Sequence, residues 1–177
     1  MSRPARSTLV LGGARSGKSR YGEQLAAAHD GACVYIATAQ ALDAEMASRI
    51  ARHRARRGGE WITIEEPLDL VARLRETALP GQLVLIDCVS VWLSNLMAAR
   101  RDVADEVSAL GEAVATLPGR IIIVSNEVGH GIVPDNALAR AFRDEAGLAN
   151  QMLAEVCEEV VFMVAGLAMR VKSHNVQ

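Results

Sequence analysis

Aromatic side chains are scarce: Phe, Trp and Tyr make up 3% of the 177 residues. The interior must therefore be aliphatic, and Ala, Val, Leu and Ile supply most of the 50% that is hydrophobic. The same scarcity leaves no evident surface on which a large flat ligand would stack. Basic charge is not in excess either, with 19 Lys and Arg against 21 Asp and Glu and a net charge of -2. A general nucleic-acid footprint wants a strongly basic balance, so no nucleic-acid partner is expected. Cysteines number three, Cys33, Cys88 and Cys157, far apart and with no CxxC pair. They read as buried free thiols in a reducing, cytoplasmic setting. No apolar run reaches the ~18 residues of a membrane span. Residues 1–7 form a short, polar, basic extension rather than a signal peptide.

What is present is an alternation of apolar strands and helices. The expected strands are Thr8–Leu11, Cys33–Ala37, Trp61–Glu65, Leu83–Asp87, Arg120–Ser125 and, last, Val160–Val164. The expected helices are Ser19–Ala28, Ala41–Arg56, Pro67–Thr77 with Pro in its first turn, Val89–Ala99 and Asp102–Leu117. Asn136–Glu159 holds one or two helices, with Gly147 as the candidate break. Most of the strands are continuous apolar runs, which means a parallel sheet covered on both faces. The length suits one domain, 1–177, large enough to bury roughly 70% of its unfolded surface. The expected fold is a three-layer α/β P-loop NTPase of the RecA-like type, its sheet mostly parallel. Ligands of such sheets bind beyond the carboxyl ends of the strands, so the residues just after each strand are the ones to inspect.

After the first strand comes Gly12-Gly13-Ala14-Arg15-Ser16-Gly17-Lys18-Ser19, which fits G-x-x-x-x-G-K-[ST] between a strand and a helix. Small residues let the backbone curl so that N–H groups converge on phosphate oxygens, and the helix N-terminus adds its positive end. Lys18 would reach the outer phosphates and Ser19 would offer a hydroxyl to Mg²⁺. Asp87 ends the run LVLID, where a Walker B acid would hold Mg²⁺ directly or through water. An N-cap for the following helix is its competing role. Asn126 and Glu127 follow the strand RIIIVS, either as substrate contacts or as a polar turn.

The segment Ala41–Arg56 is rich in arginine. At about 100° per residue, Leu42, Met46, Arg49, Ile50 and His53 share one face, with His53 nearly in line with Leu42. Arg49, Arg52, Arg54, Arg56 and Arg57 surround it. Positive neighbours disfavour imidazolium and keep the ring nucleophilic, and the same guanidiniums would neutralise phosphate oxygens. Attack of His53 on phosphorus is chemically reasonable, although a solvated face with a structural histidine has the same spacing.

Several segments together narrow the choice. LGGARSGKSRYGEQLA, YIATAQALDAEMASRIARHRARR, WITIEEPLDL, LIDCVSVWLSNL, SNEVGHGIVPDNALARAFRDEAGLANQ and VAGLAMRVK span nearly the whole chain. They closely resemble the bifunctional adenosylcobinamide kinase / adenosylcobinamide-phosphate guanylyltransferase family of cobalamin biosynthesis. The resemblance implies phosphorylation of adenosylcobinamide by ATP or GTP. GTP then reacts with adenosylcobinamide phosphate through a GMP–histidine, giving adenosylcobinamide-GDP and pyrophosphate. His53 matches the nucleophile. Several relatives carry two adjacent histidines there, whereas this chain has Arg52-His53. Ala37, Thr38 and Ala39, and Arg54, Ala55, Arg56 and Arg57, match nucleotide contacts. Glu65 and Asp87 match positions associated with GTP, and a carboxylate can accept both guanine N1 and N2 hydrogens. A homotrimer is the assembly the family implies. The alternatives are a plain small-molecule P-loop kinase, or a nucleotide-switched module, which would need an N-K-x-D tetrad that the chain lacks.

Overall fold

The computed structural model describes residues 4–40 and 61–173. The histidine helix, Ala41–Arg56, lies outside the described residues, as do Arg57 and His174.

Seven strands form one sheet: β1 (Ser7–Gly12), β2 (Cys33–Ala37), β3 (Trp61–Glu65), β4 (Leu83–Asp87), β5 (Arg120–Asn126), β6 (Glu159–Val164) and β7 (Leu167–Lys172), in the order β3-β2-β4-β5-β1-β6-β7. The first six run parallel. Between them lie α1 (Lys18–Ala27), α2 (Leu70–Thr77), α3 (Val89–Ala98), α4 (Val103–Thr116) and α5 (Ala137–Val156).

Each apolar strand feeds two cores, because successive side chains point to opposite faces. Leu9, Ile36, Ile86 and Ile123 pack on one face with Leu74 of α2, Trp92 of α3, Leu110 of α4 and Leu153 of α5. Val10, Tyr35, Leu85 and Val124 pack on the other with Ala26 of α1. Among the described residues two helix starts carry side-chain caps: Asp102 accepts from the Asp105 N–H at 3.1 Å, and Asn136 from the Ala139 N–H at 2.8 Å.

The structure corrects four expectations. Pro67 is not in the first turn of a helix, because α2 begins at Leu70. The Glu66 carboxylate accepts from the N–H groups of Leu68 (3.1 Å) and Asp69 (2.8 Å), holding a turn where the helix was expected. Gly147 breaks nothing, since α5 runs 20 residues through it. One glycine costs such a helix only about 1 kcal/mol against Ala, less than the packing of Ala146, Ala149 and Leu153 returns. Val160–Val164 is not the last strand. A two-residue turn, Ala165 (φ 51°) and Gly166 (φ 82°), reverses the chain into antiparallel β7. Every residue of β7 is exposed, so it lacks the buried run that marked the other strands. Of the three cysteines only Cys157 is buried, while Cys33 and Cys88 are half-buried, and all are free.

Candidate nucleotide site at the carboxyl edge of the sheet

The glycine loop leaves the end of β1 and enters α1. Gly12 (φ 150°) and Gly17 (φ 102°) take backbone angles that L side chains rarely adopt, and Arg15 sits at φ 55°. A Cβ at Gly12 would lie 2.6 Å from the Met163 carbonyl oxygen of β6, so only glycine fits there. Gly17 occupies the N-cap of α1 without any side-chain cap. The first N–H groups of a helix have no partner within it, and here they open toward the loop. Lys18 is 6% exposed and its ammonium donates to the Gly13 carbonyl at 2.6 Å, which folds the charge back over the loop. The Ser16 hydroxyl is buried with no partner among the described residues. Gly166 of the β6–β7 turn donates its N–H to the Ser16 carbonyl at 3.0 Å, bracing the loop from the side. Ser19, half-buried, follows in the first turn of α1.

Sheet register sets the other candidates in a row. Glu65 pairs with Ala37, Ala37 with Asp87, Asp87 with Val124, and Val124 with Val10. Strand spacing puts Asp87 about 10 Å from β1, and Glu65 roughly 19 Å from it at the far edge. Asp87 is half-buried and does not cap α3, whose N-cap is Cys88. One of its oxygens accepts from the Tyr35 hydroxyl at 2.7 Å. The Tyr35 ring sits edge-on to Trp61, centroids 6.2 Å apart, and is thereby fixed.

Thr38 is fully buried, and its side chain is taken up internally. Its hydroxyl donates to the Cys88 carbonyl (2.8 Å) and accepts from the Cys88 N–H (2.9 Å), tying β2 to the end of β4. Its carbonyl accepts from the Asn95 amide at 2.9 Å. Ala37 is buried and Ala39 half-buried.

Asn126 stands opposite Gly12 in the register of β5 and β1. The Glu127 N–H donates to the Gly12 carbonyl at 3.0 Å, and its carboxylate accepts from the Gly129 N–H. His130 is exposed, its ring 6.0 Å from Phe162. His29 lies at the opposite end of the sheet, against the Gly81 carbonyl at 3.1 Å. Arg143 and Asp144 form an ion pair at 3.6 Å and line a shallow depression with Gly129, Gly147, Leu148 and Gln151. His53, Arg54, Ala55, Arg56 and Arg57 lie outside the described residues.

Sequence reasoning missed Tyr35 and the internal role of Thr38. The signal for Tyr35 was alternation: it shares a face with Ala37, whose β4 neighbour is Asp87. That neighbour depends on sheet order, which no periodicity encodes.

Nothing in this set is a ready-made metal cage: among the described residues no three His, Cys, Asp or Glu side chains cluster to hold an ion. Mg²⁺ in phosphate chemistry needs none, because it is held by one or two protein oxygens plus phosphates and water. Ser19 and Asp87 fit that donor set.

A parallel sheet, a glycine loop opening a helix, and an acid two strands away define a P-loop nucleotide-binding protein. The fold is similar to two solved structures. One is the P4 protein from bacteriophage phi6 in complex with ADP (15% identity, TM-score 0.52, 93% of this chain and 54% of that one). The other is a prototypical ATPase from the type III secretion system of pathogenic bacteria (10% identity, TM-score 0.52, 95% and 56%). This chain thus spans little more than half the length of each. Residues 8–171 match the family described as cobinamide kinase / cobinamide phosphate guanyltransferase, and the chain belongs to it. It is 54% identical to the bifunctional adenosylcobalamin biosynthesis protein CobP of Pseudomonas aeruginosa, over 93% of this chain and 96% of that one. It is 39% identical to the bifunctional adenosylcobalamin biosynthesis protein CobU of Escherichia coli, over 93% and 98%.

Proposed function

We propose that this chain is a bifunctional enzyme of adenosylcobalamin biosynthesis that phosphorylates adenosylcobinamide and then guanylylates the product. Family membership supports both activities. The observation that carries the reading is the loop itself: an uncapped helix start, curled glycines and a buried lysine at the end of β1.

In the first step the loop backbone and Lys18 hold the triphosphate of ATP or GTP. The cobinamide hydroxyl attacks the γ-phosphorus and the nucleoside diphosphate departs. Charge on the transferring phosphoryl group is met by loop N–H groups and the Lys18 ammonium. Ser19 and Asp87 would hold Mg²⁺, directly or through water, and the ion supplies further charge neutralisation. Tyr35 keeps the Asp87 carboxylate turned to one orientation.

In the second step a nitrogen of His53 attacks the α-phosphorus of GTP, the bond to the bridging oxygen breaks, and pyrophosphate leaves. An oxygen of adenosylcobinamide phosphate then attacks the phosphoramidate, and the imidazole leaves unmodified. Covalent capture splits one displacement into two. Arg54, Arg56 and Arg57 offer charge near the nucleophile, and Ala37, Ala39 and Ala55 offer backbone. Glu65 suits the guanine end, because a carboxylate accepts from both N1 and N2 and it stands at the edge of the row farthest from β1. Asp87 is left to the metal.

The protein acts on small molecules, in the cytoplasm. No helix among the described residues is long and apolar enough to cross a membrane. A homotrimer is the proposed assembly. The edge strand β7 supports association, since Leu167 (74% exposed), Met169 (55%) and Val171 (64%) are exposed apolar side chains along it.

The test is incubation with [α-³²P]GTP followed by denaturation. Acid-labile, alkali-stable label is expected on the wild type and absent from His53→Asn, while His53→Asn still phosphorylates adenosylcobinamide. An unlabelled wild type that retains kinase activity would reduce the protein to a plain kinase.

A further inference from the structure

The core between β5, α3 and α5 is apolar except for three buried polar side chains. Ser125 is fully buried, Ser90 is 3% exposed and Asn150 6%. Burying such groups weakens a core unless they are paired, and apolar residues of similar size serve stability as well or better. Their partners show what they hold. The Ser90 hydroxyl accepts from the Asn126 N–H at 2.6 Å and lies 3.3 Å from the Ser125 hydroxyl. The Asn150 amide donates to the Asn126 carbonyl at 3.1 Å. Both peptide groups of Asn126 are thus fixed by side chains, one from α3 and one from α5. The Asn150 carbonyl oxygen is buried with no partner among the described residues, so this amide is retained at a cost to the fold.

Asn126 is the last residue of β5, and just past it the Glu127 N–H ties the chain to the Gly12 carbonyl of β1. Beyond it the strand leaves the sheet, and its last ladder partner is Gly12, the first residue of the glycine loop. Its own amide points at the Cys88 sulfur, 3.9 Å away, beside Asp87. β5 lies between the strand that carries the loop and the strand that carries Asp87. Asn126 and Glu127, at the end of β5, therefore stand between the glycine loop and Asp87.

We propose that Ser90 and Asn150 are positioning residues for phosphoryl transfer: they clamp the Asn126 peptide so that the Asn126 amide and Glu127 stand fixed at the transferring phosphate. They do not touch the nucleotide. This rests on the placement of the triphosphate in the glycine loop, argued above. Loss of the clamp lets the Asn126 side chain and peptide shift, while the bond from the Glu127 N–H to the Gly12 carbonyl and the buried Lys18 keep the loop and its grip on the triphosphate.

The test uses the full chain with three variants, Ser90→Ala, Ser90→Thr and Asn150→Leu. Kinase kcat and KM are measured with adenosylcobinamide, and unfolding with urea. Ser90→Ala and Asn150→Leu should each lose tenfold or more in kcat, with the KM for the triphosphate within threefold of wild type. Ser90→Thr keeps the hydroxyl and should recover most of that loss. Asn150→Leu should unfold at a urea concentration no lower than Ser90→Ala does, despite its lower activity than wild type. If Asn150→Leu does not fold, the Ser90→Ala and Ser90→Thr pair decides alone. A Ser90→Ala kcat within twofold of wild type overturns the proposal, as does a loss that falls wholly in the triphosphate KM. Lys18→Ala separates the underlying reading: triphosphate binding that survives this change sinks the placement in the loop, whatever Ser90 does.

Discussion

Replacing Tyr35 by Phe removes one oxygen and little else. The ring is 4% exposed and edge-on to Trp61, and Phe keeps both the packing and the volume. What is lost is a 2.7 Å hydrogen bond to the Asp87 carboxylate. Bonds to a charged acceptor are worth about 1.5–3 kcal/mol net. Asp87 is half-buried, so water can replace part of the lost donor, and the expected cost is near the lower end, about 1.5 kcal/mol. For a chain of this length that lowers Tm by about 3–6 °C. The functional effect is separate. A carboxylate that has lost its orienting partner holds a metal less well, and such losses typically run from about 10- to 100-fold in metal affinity or activity. Tyr35→Phe should therefore raise the Mg²⁺ concentration for half-maximal kinase activity by about tenfold. Urea unfolding and an Mg²⁺ titration of the kinase rate measure the two effects. A double-mutant cycle with Asp87→Asn assigns the energy to the pair. Unchanged midpoints in both assays would refute the claim that Tyr35 orients Asp87.

Gly12→Ala should destabilise the fold by about 1–3 kcal/mol through forced backbone angles, and it should lower nucleotide affinity in a titration. Gly13→Ala, whose Cβ would meet nothing within 4 Å, should stay within about 0.5 kcal/mol of wild type in the same urea assay. Burial pushes the Cys157 thiol up to about 12 from an ordinary 9.0, so the folded state holds its proton more tightly than the unfolded chain does. That contribution is intact below pH 9 and is lost as pH climbs from there toward 12. It amounts to about 1.4 kcal/mol between pH 7 and pH 10. Urea unfolding of wild type and Cys157→Ala at both pH values should show the extra loss only in the wild type.

Most of the legible strands were those whose apolar side chains are buried on both faces, because continuous burial leaves a continuous run in the sequence; β3, none of whose residues is buried, was read from its alternation instead. β7 escaped for the converse reason: all six of its residues are exposed, and no buried run announces it. The start of α2 was misplaced because a side chain, the Glu66 carboxylate, holds the turn that Pro67 seemed to open as helix. At the site, the glycine loop could be read because its chemistry is local: eight consecutive residues dictate the curl, the charge and the helix start. Asp87 was legible as the end of a buried run. The partners of Thr38, Asp87 and Asn126 were not, since each lies 24 or more residues away along the chain.

By itself the sequence determined the phosphate loop, the parallel order of strand and helix, and the family. Those follow from short-range rules, namely backbone sterics, strand and helix periodicity, and contiguous motifs. Only the tertiary structure decided which strand lies beside which. It set β5 between the loop and Asp87, brought Tyr35 to the carboxylate, and buried Ser90 and Asn150 against Asn126. The reason is that lateral strand order arises from how helices cover the two sheet faces, a sum over many weak contacts that no single segment records.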